Sequence, residues 1–229
     1  MSTSQENRNC EPAGSLAALP IAHTLGPGRR QRRAAETRMR LFRCALKLLA
    51  ERGFQNVTVE DITEAADVGK GTFFNYFESK DHVLGVMAEI QVGKMKEALL
   101  VGGNGNQPIH SVLRHLFQRL SEEPGRSPSL ARALISSFLA SESVRSIFVG
   151  KLHDGLKMIA EVIAVGQERG EIDPRLEKDK VAPQLLQAVL GTVLLWSLHG
   201  GESALEARME DTFQHFWRAV AASGRELGL

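Results

Sequence analysis

No stretch of this chain sustains the apolar–polar alternation that a half-buried strand needs, while apolar residues recur at three- and four-residue spacing from about position 34 almost to the C-terminus. That periodicity confines the chain to an all-α fold. Gly, Pro and polar breaks divide it into about nine helices, running near 34–52, 59–66, 70–77, 80–100, 109–120, 130–140, 144–169, 181–198 and 204–222. With 229 residues, 43% of them hydrophobic, there is enough apolar surface for real cores. The expected organisation is a disordered extension over 1–28, rich in Ser, Asn, Gly and Pro, a small helical unit over 29–84, and a larger helical domain over 85–229.

Net charge is only +1, so any charge signal is local. From Gly26 to Lys80 the chain carries 11 Lys/Arg against 7 Asp/Glu, and from Asp81 onward 16 against 18. The basic portion is therefore N-terminal, and its densest stretch, GPGRRQRRAAETRMR, holds six arginines and one acid just ahead of the first helix. Such an arm can lie along phosphates or in a minor groove, or remain a solvated tail.

The second helix opens with Thr58 as N-cap and Asp61 three residues on, a capping box, with Val57 placed to staple onto Ile62. After the turn DVG comes KGTFFNYF, with four aromatic rings between Phe73 and Phe77. At about 100° per residue, Phe73 and Phe77 share one side of that helix and Thr72, Asn75 and Tyr76 the other, with Phe74 at the rim. The first side closes a core with Leu41, Ala45, Ile62 and Val68. The second offers hydroxyl and amide groups suited to base edges and phosphates, beside Gly71, which permits close backbone approach. Lys70 and Lys80 flank it. With two rings turned inward, a platform for stacking single-stranded bases does not form.

Two short helices joined by a tight turn behind a longer first helix give a helix-turn-helix outline. From Thr37 to Leu84, through TRMRLFRCALKLLAERGF and VTVEDITEAADVGKGTFFNYFESKDHVL, the chain resembles the tetracycline-repressor-like (TetR) family of transcriptional regulators. The resemblance implies that Lys70–Phe77 enters the major groove of double-stranded operator DNA. By position, it assigns phosphate contacts to Thr58, Tyr76 and Lys80, and base or backbone contacts to Lys70, Gly71, Thr72 and Asn75. Two residues depart from the family pattern. Gly69 replaces a common Ser, and Phe74 stands where Tyr is usual; without the hydroxyl, Phe74 can meet a thymine methyl or simply pack.

The resemblance further implies a C-terminal domain that dimerises through its last two long helices and binds a small effector. VAPQLLQAVLGTVLLWSLHG and ALEARMEDTFQHFWRAVAA carry more apolar surface than one subunit covers, although packing within one chain is the alternative. A two-fold dimer places two recognition helices one DNA turn apart, roughly 34 to 36 Å, on a near-palindromic site. Met87, Met95, Phe117, Phe138, Met158 and Trp196 are candidate walls of an effector pocket, and the same residues also suit an ordinary core. Few charges fall within these apolar stripes, which favours a largely apolar effector. The fourth helix, shared by both units, is the expected lever of a ligand-released repressor.

Other chemistries find no support. The seven histidines form no i, i+4 pair on one helix, and His110 and His115 are five apart, so no metal site is expected. Ser and Cys residues occur without a nucleophile elbow or a phosphate-cradling loop, so neither an enzyme nor a cofactor is expected. Cys10 and Cys44 make no disulfide framework, no signal peptide is evident, and the apolar run from Val181 is interrupted by Pro183, Gln184 and Gln187, which fits a cytoplasmic protein without a membrane span. The competing reading is a helical interaction or enzymatic protein whose helix-turn-helix is vestigial.

Overall fold

The computed structural model describes residues 28–222, so the extension expected over 1–28 lies, but for Gly28, outside the described residues. Among these there are nine α-helices and no strand. They are α1 (Arg29–Arg52), α2 (Val59–Ala65), α3 (Lys70–Phe74), α4 (Lys80–Gly103), α5 (Ile109–Ser121), α6 (Pro128–Ala140), α7 (Glu142–Glu168), α8 (Lys178–Leu198) and α9 (Leu205–Val220). A single antiparallel bridge, Ile172 to Ala221, ties the loop after α7 to the end of α9.

From Arg29 onward the basic arm is helical. α1 starts at Arg29 rather than near Ala34, with Gly28 as N-cap and its N–H donated to Gln31 Oε1 at 3.2 Å. Arginine is a good helix former, yet its exposed positions carry no apolar period by which spacing could reveal the extra turns. The α2 cap is built as its residues dictate: Thr58 Oγ1 accepts from the Asp61 N–H at 3.1 Å, and Asp61 Oδ2 accepts from the Thr58 N–H at 2.8 Å. α3 stops at Phe74, with Asn75 as C-cap. Tyr76 and Phe77 follow in a turn whose N–H groups return to the Phe73 carbonyl at 2.9 and 3.0 Å. In the α2–α3 turn the left-handed residue is Asp67, at φ 50°, while Gly69 has an ordinary φ of −70°. Asp tolerates that region better than most side chains, so the turn does not depend on its glycine.

Two buried clusters organise the molecule. One gathers Leu41, Ala45, Leu48 and Leu49 of α1 with Phe54, Val57, Ile62, Phe73 and Phe77; half-buried Val68 and Tyr76 pack against it. It does not end with the helix-turn-helix, since Val86, Met87 and Ile90 of α4 and Leu130, Ala133 and Leu134 of α6 belong to it. The other joins α4, α5 and α7 to α9 around Phe117, Ile159, Ile163 and Phe213. α6 thus lies against α1 on one side and α8 on the other, and Arg132 donates to the Ser197 carbonyl at the end of α8.

Contrary to the sequence reading, α8 is long and apolar enough to cross a membrane by length and composition. In the structure it is a core helix on one face: Val181, Leu185, Val189 and Val193, four residues apart, are each at most 3% exposed.

Candidate functional site

Two features stand out from this frame: the outer face of α3 with the cap of α2, and a cavity between α4, α6, α7 and α8. On the first, Phe73 and Phe77 are sealed in the core with ring centroids 5.5 Å apart. Anchored through them, the helix leaves Lys70, Gly71, Phe74 and Asn75 exposed, with Thr72 and Tyr76 half-buried. Phe74 is 51% exposed, its ring edge-on to Phe73 at 5.4 Å. Thr58 is exposed at the start of α2 on the same unit.

The charges here are already engaged. Lys70 Nζ sits on Glu60 Oε1, and the bond from Lys70 holds the Glu60 carboxyl below its usual range. Asp61 is likewise held low, first by the Thr58 hydroxyl and backbone and then by Arg52, whose Nη1 lies 3.1 Å away. Lys80 differs from the expectation of an outward-reaching cation. Its ammonium donates to the carbonyls of Phe54 at 3.1 Å and Val57 at 3.0 Å and lies 4.5 Å from the Phe54 ring centroid. It therefore ties the start of α4 to the turn between α1 and α2, a role that positional matching could not reveal because both acceptors are backbone atoms.

The cavity spans about 650 Å³, part of it open to solvent. Its walls come from α4 (Met87, Gln91, Met95), the end of α5 and the following turn (Leu120, Pro124), α6 (Ala131, Leu134, Ile135, Phe138), α7 (Phe148, Leu152) and α8 (Leu186, Val189, Leu190, Val193). Three of the six expected wall residues, Met87, Met95 and Phe138, are among these. The other three lie outside it. Phe117 is fully buried against Phe213 and Phe216, Trp196 donates Nε1–H to the Ser203 carbonyl at 2.9 Å, and Met158 packs on the second cluster. Large apolar residues at helical spacing do not by themselves distinguish wall from core. Phe138 and Phe148 stack at 4.4 Å, where the wall residues retain exposure.

Sequence reasoning placed a helix over 130–140 and Phe138 on the pocket wall, but missed that α6 also closes the helix-turn-helix core through Leu130, Ala133 and Leu134 and lines the cavity through Ala131, Leu134 and Ile135. It also missed Gln91, the one polar side chain of α4 among the apolar cavity walls. Beside the cavity, Lys94 and Glu123 form a buried ion pair at 2.5 Å, each side chain 5% exposed. Among the described residues, no three His, Cys, Asp or Glu side chains gather as a metal site would require.

A helix-turn-helix with one polar, exposed recognition face, fused to a cavity-bearing helical body, defines a ligand-responsive class of DNA-binding regulators. The model of the bacterial regulatory proteins of the tetR family matches residues 41–87. The HTH-type transcriptional regulator TcmR of Streptomyces glaucescens is 29% identical over 177 residues, 73% of this chain and 74% of that protein. FadR of Thermus thermophilus, a TetR family transcriptional repressor solved in complex with lauroyl-CoA, superposes with a TM-score of 0.59 at 26% identity, over 83% of this chain and 100% of that one. FadR of Bacillus halodurans shares the fold, with a TM-score of 0.68 at 20% identity over 79% and 94% of the two chains. Residues 41–87 thus carry the DNA-binding region of the TetR family, and the chain as a whole is similar to transcriptional regulators of that family.

Proposed function

We propose that the protein is a homodimeric repressor that holds a near-palindromic operator through two copies of the 29–84 unit and is released by a small, largely apolar molecule bound in the 85–229 domain. Thr72, Asn75 and Gly71 meet base edges or adjacent backbone, Lys70, Tyr76 and Thr58 meet phosphates, and Phe74 lies over a thymine methyl. Lys80 has given two of its three protons to backbone carbonyls and offers the third to the DNA backbone. The last two helices, α8 and α9, pair with their symmetry mates.

The observation that carries this reading is the placement of the cavity. Its walls include Met87 and Leu134, which also belong to the cluster that roots the helix-turn-helix. A ligand that prefers one arrangement of α4 and α6 therefore biases the spacing of the recognition helices, and lowers DNA affinity by its preference ratio. Naming of the relatives as transcriptional regulators, and the lauroyl-CoA bound to the Thermus protein, point the same way.

Footprinting on the intergenic DNA beside its own gene tests the proposal. Protection of a near-palindrome is expected, weakening steeply with salt and relieved by a lipophilic compound that also raises the melting temperature. The triple variant Thr72→Ala, Asn75→Ala, Tyr76→Ala is expected to lose specific protection. Unchanged protection by that variant would overturn the assignment of the DNA-facing residues.

A further inference from the structure

The cavity contains one polar feature, and its surroundings fix what a ligand must bring. Gln91 is the single polar side chain among the wall residues. Its amide nitrogen donates to Glu123 Oε2 at 3.1 Å and lies 3.6 Å from Met87 Sδ, while its Oε1 is buried with no hydrogen-bond partner among the described residues. A carboxylate only accepts, so turning the amide over would set oxygen against oxygen; the acceptor must be the end left unpaired. Glu123 cannot move aside either. The same Oε2 is 2.5 Å from Lys94 Nζ, which also reaches Glu122 at 3.0 Å and the Arg119 carbonyl.

We infer that the effector is a neutral amphiphile: an apolar body with one hydrogen-bond donor, such as an alcohol, a phenol or an amide N–H, that bonds to Gln91 Oε1. This rests on the effector-pocket reading above and narrows it to a chemical class. A carboxylate head would bring another acceptor beside Gln91 Oε1 and Glu123, with no cation among the wall residues to receive it. A multiply charged phosphate head meets the same lack. A neutral donor satisfies a buried acceptor that is otherwise left unmade, a gain of about tenfold in affinity over an isostere lacking the donor. Gln91 and Lys94 lie on α4 and Glu123 in the turn before α6, so the bond is made at the joint of the two helices that reach the helix-turn-helix.

The test uses the full chain and four probes measured by calorimetry and thermal shift at pH 7.5: 1-decanol, decyl methyl ether, decanoate and lauroyl-CoA. The expected result is that decanol binds about tenfold tighter than the ether, with decanoate and lauroyl-CoA weaker than decanol. In Gln91→Leu, decanol is expected to fall to the affinity of the ether. Gln91→Met, nearer in shape and equally without a strong acceptor, gives the same readout if the leucine variant does not fold. Equal binding of decanol and ether to the wild type, tighter binding of lauroyl-CoA, or discrimination that survives in both variants overturns the ligand class while leaving the pocket in place. Failure of every probe to bind the wild type overturns the pocket reading as well.

Discussion

Lys70 and Lys80 show how two lysines flanking one helix come to opposite uses. Lys70 rests on Glu60 in an exposed pair, 56% and 63% open to solvent, that contributes little to folding. Near a phosphate backbone, however, Glu60 repels the DNA and competes for the ammonium. Glu60→Gln should therefore tighten operator binding about threefold or more at low salt, with the melting temperature nearly unchanged. Fluorescence anisotropy on a labelled operator measures it, and weaker binding would show that the pair instead pre-positions Lys70. Lys80 is the reverse case, because two backbone carbonyls and the face of Phe54 depend on it. Lys80→Met should cost about 1–3 kcal/mol of stability in urea unfolding, as buried acceptors lose their donor. If the variant unfolds like the wild type and loses only DNA affinity, the lysine is a phosphate ligand and its internal bonds are incidental.

At the scale of elements, the body of the molecule is set by how closely its helices approach. α7 presents Gly155 to Met95 of α4, and a Cβ there would overlap the Met95 sulfur. Met95 is a flexible side chain on the cavity wall, so Gly155→Ala should fold, lose about 1–3 kcal/mol through overpacking, and bind lipophilic probes more weakly as Met95 is driven into the cavity. Unaltered probe affinity would place Met95 elsewhere in the bound form. α5 and α9 meet at His110, whose ring is edge-on to Phe213 and Trp217 at 5.1 and 5.0 Å. Burial, aided by Arg114, pushes its pKa below the ordinary value of 6.5 against the opposing pull of Glu210 and Glu171. The unfolded chain then binds the proton more readily, so this contribution to stability is complete above about pH 6.5 and is lost as pH falls below it. Chemical denaturation of wild type and His110→Phe at pH 7.5 and 5.5 should show the wild type losing more on acidification; equal losses would mean the ring is solvated. How legible these elements were follows from the same packing. The helices and the inward turn of Phe73 and Phe77 were readable because period and capping are local in sequence. Pairings such as Lys80 with Phe54 and Val57, Gln91 with Glu123, and α6 with α1 were not, because they join residues 23 or more positions apart, the first two through backbone acceptors or single polar atoms and the third through apolar packing whose partner the period does not name.

For the whole molecule, the unresolved demand is the outer side of α8. Its inner stripe is buried and Leu190 borders the cavity, yet Leu195 and Leu198 are 54% and 62% exposed, with half-buried Leu194 beside them. An apolar ridge of this kind along a helix already packed on its other face calls for a partner. In the homodimer proposed above, that partner is a second copy of α8 under two-fold symmetry, with each subunit offering the same patch. The consequence reaches the DNA, because a lone recognition helix of five residues presents few contacts and affinity then depends on two subunits binding together. The double variant Leu195→Glu, Leu198→Glu should therefore fold, since both side chains are already exposed, and elute at the mass of one chain by light scattering where the wild type has twice that mass. Its operator affinity should fall by about two orders of magnitude while single half-site binding persists. If the variant keeps the wild-type mass, the ridge is not the interface, and if it becomes monomeric yet binds the full operator as before, the two recognition helices do not act together.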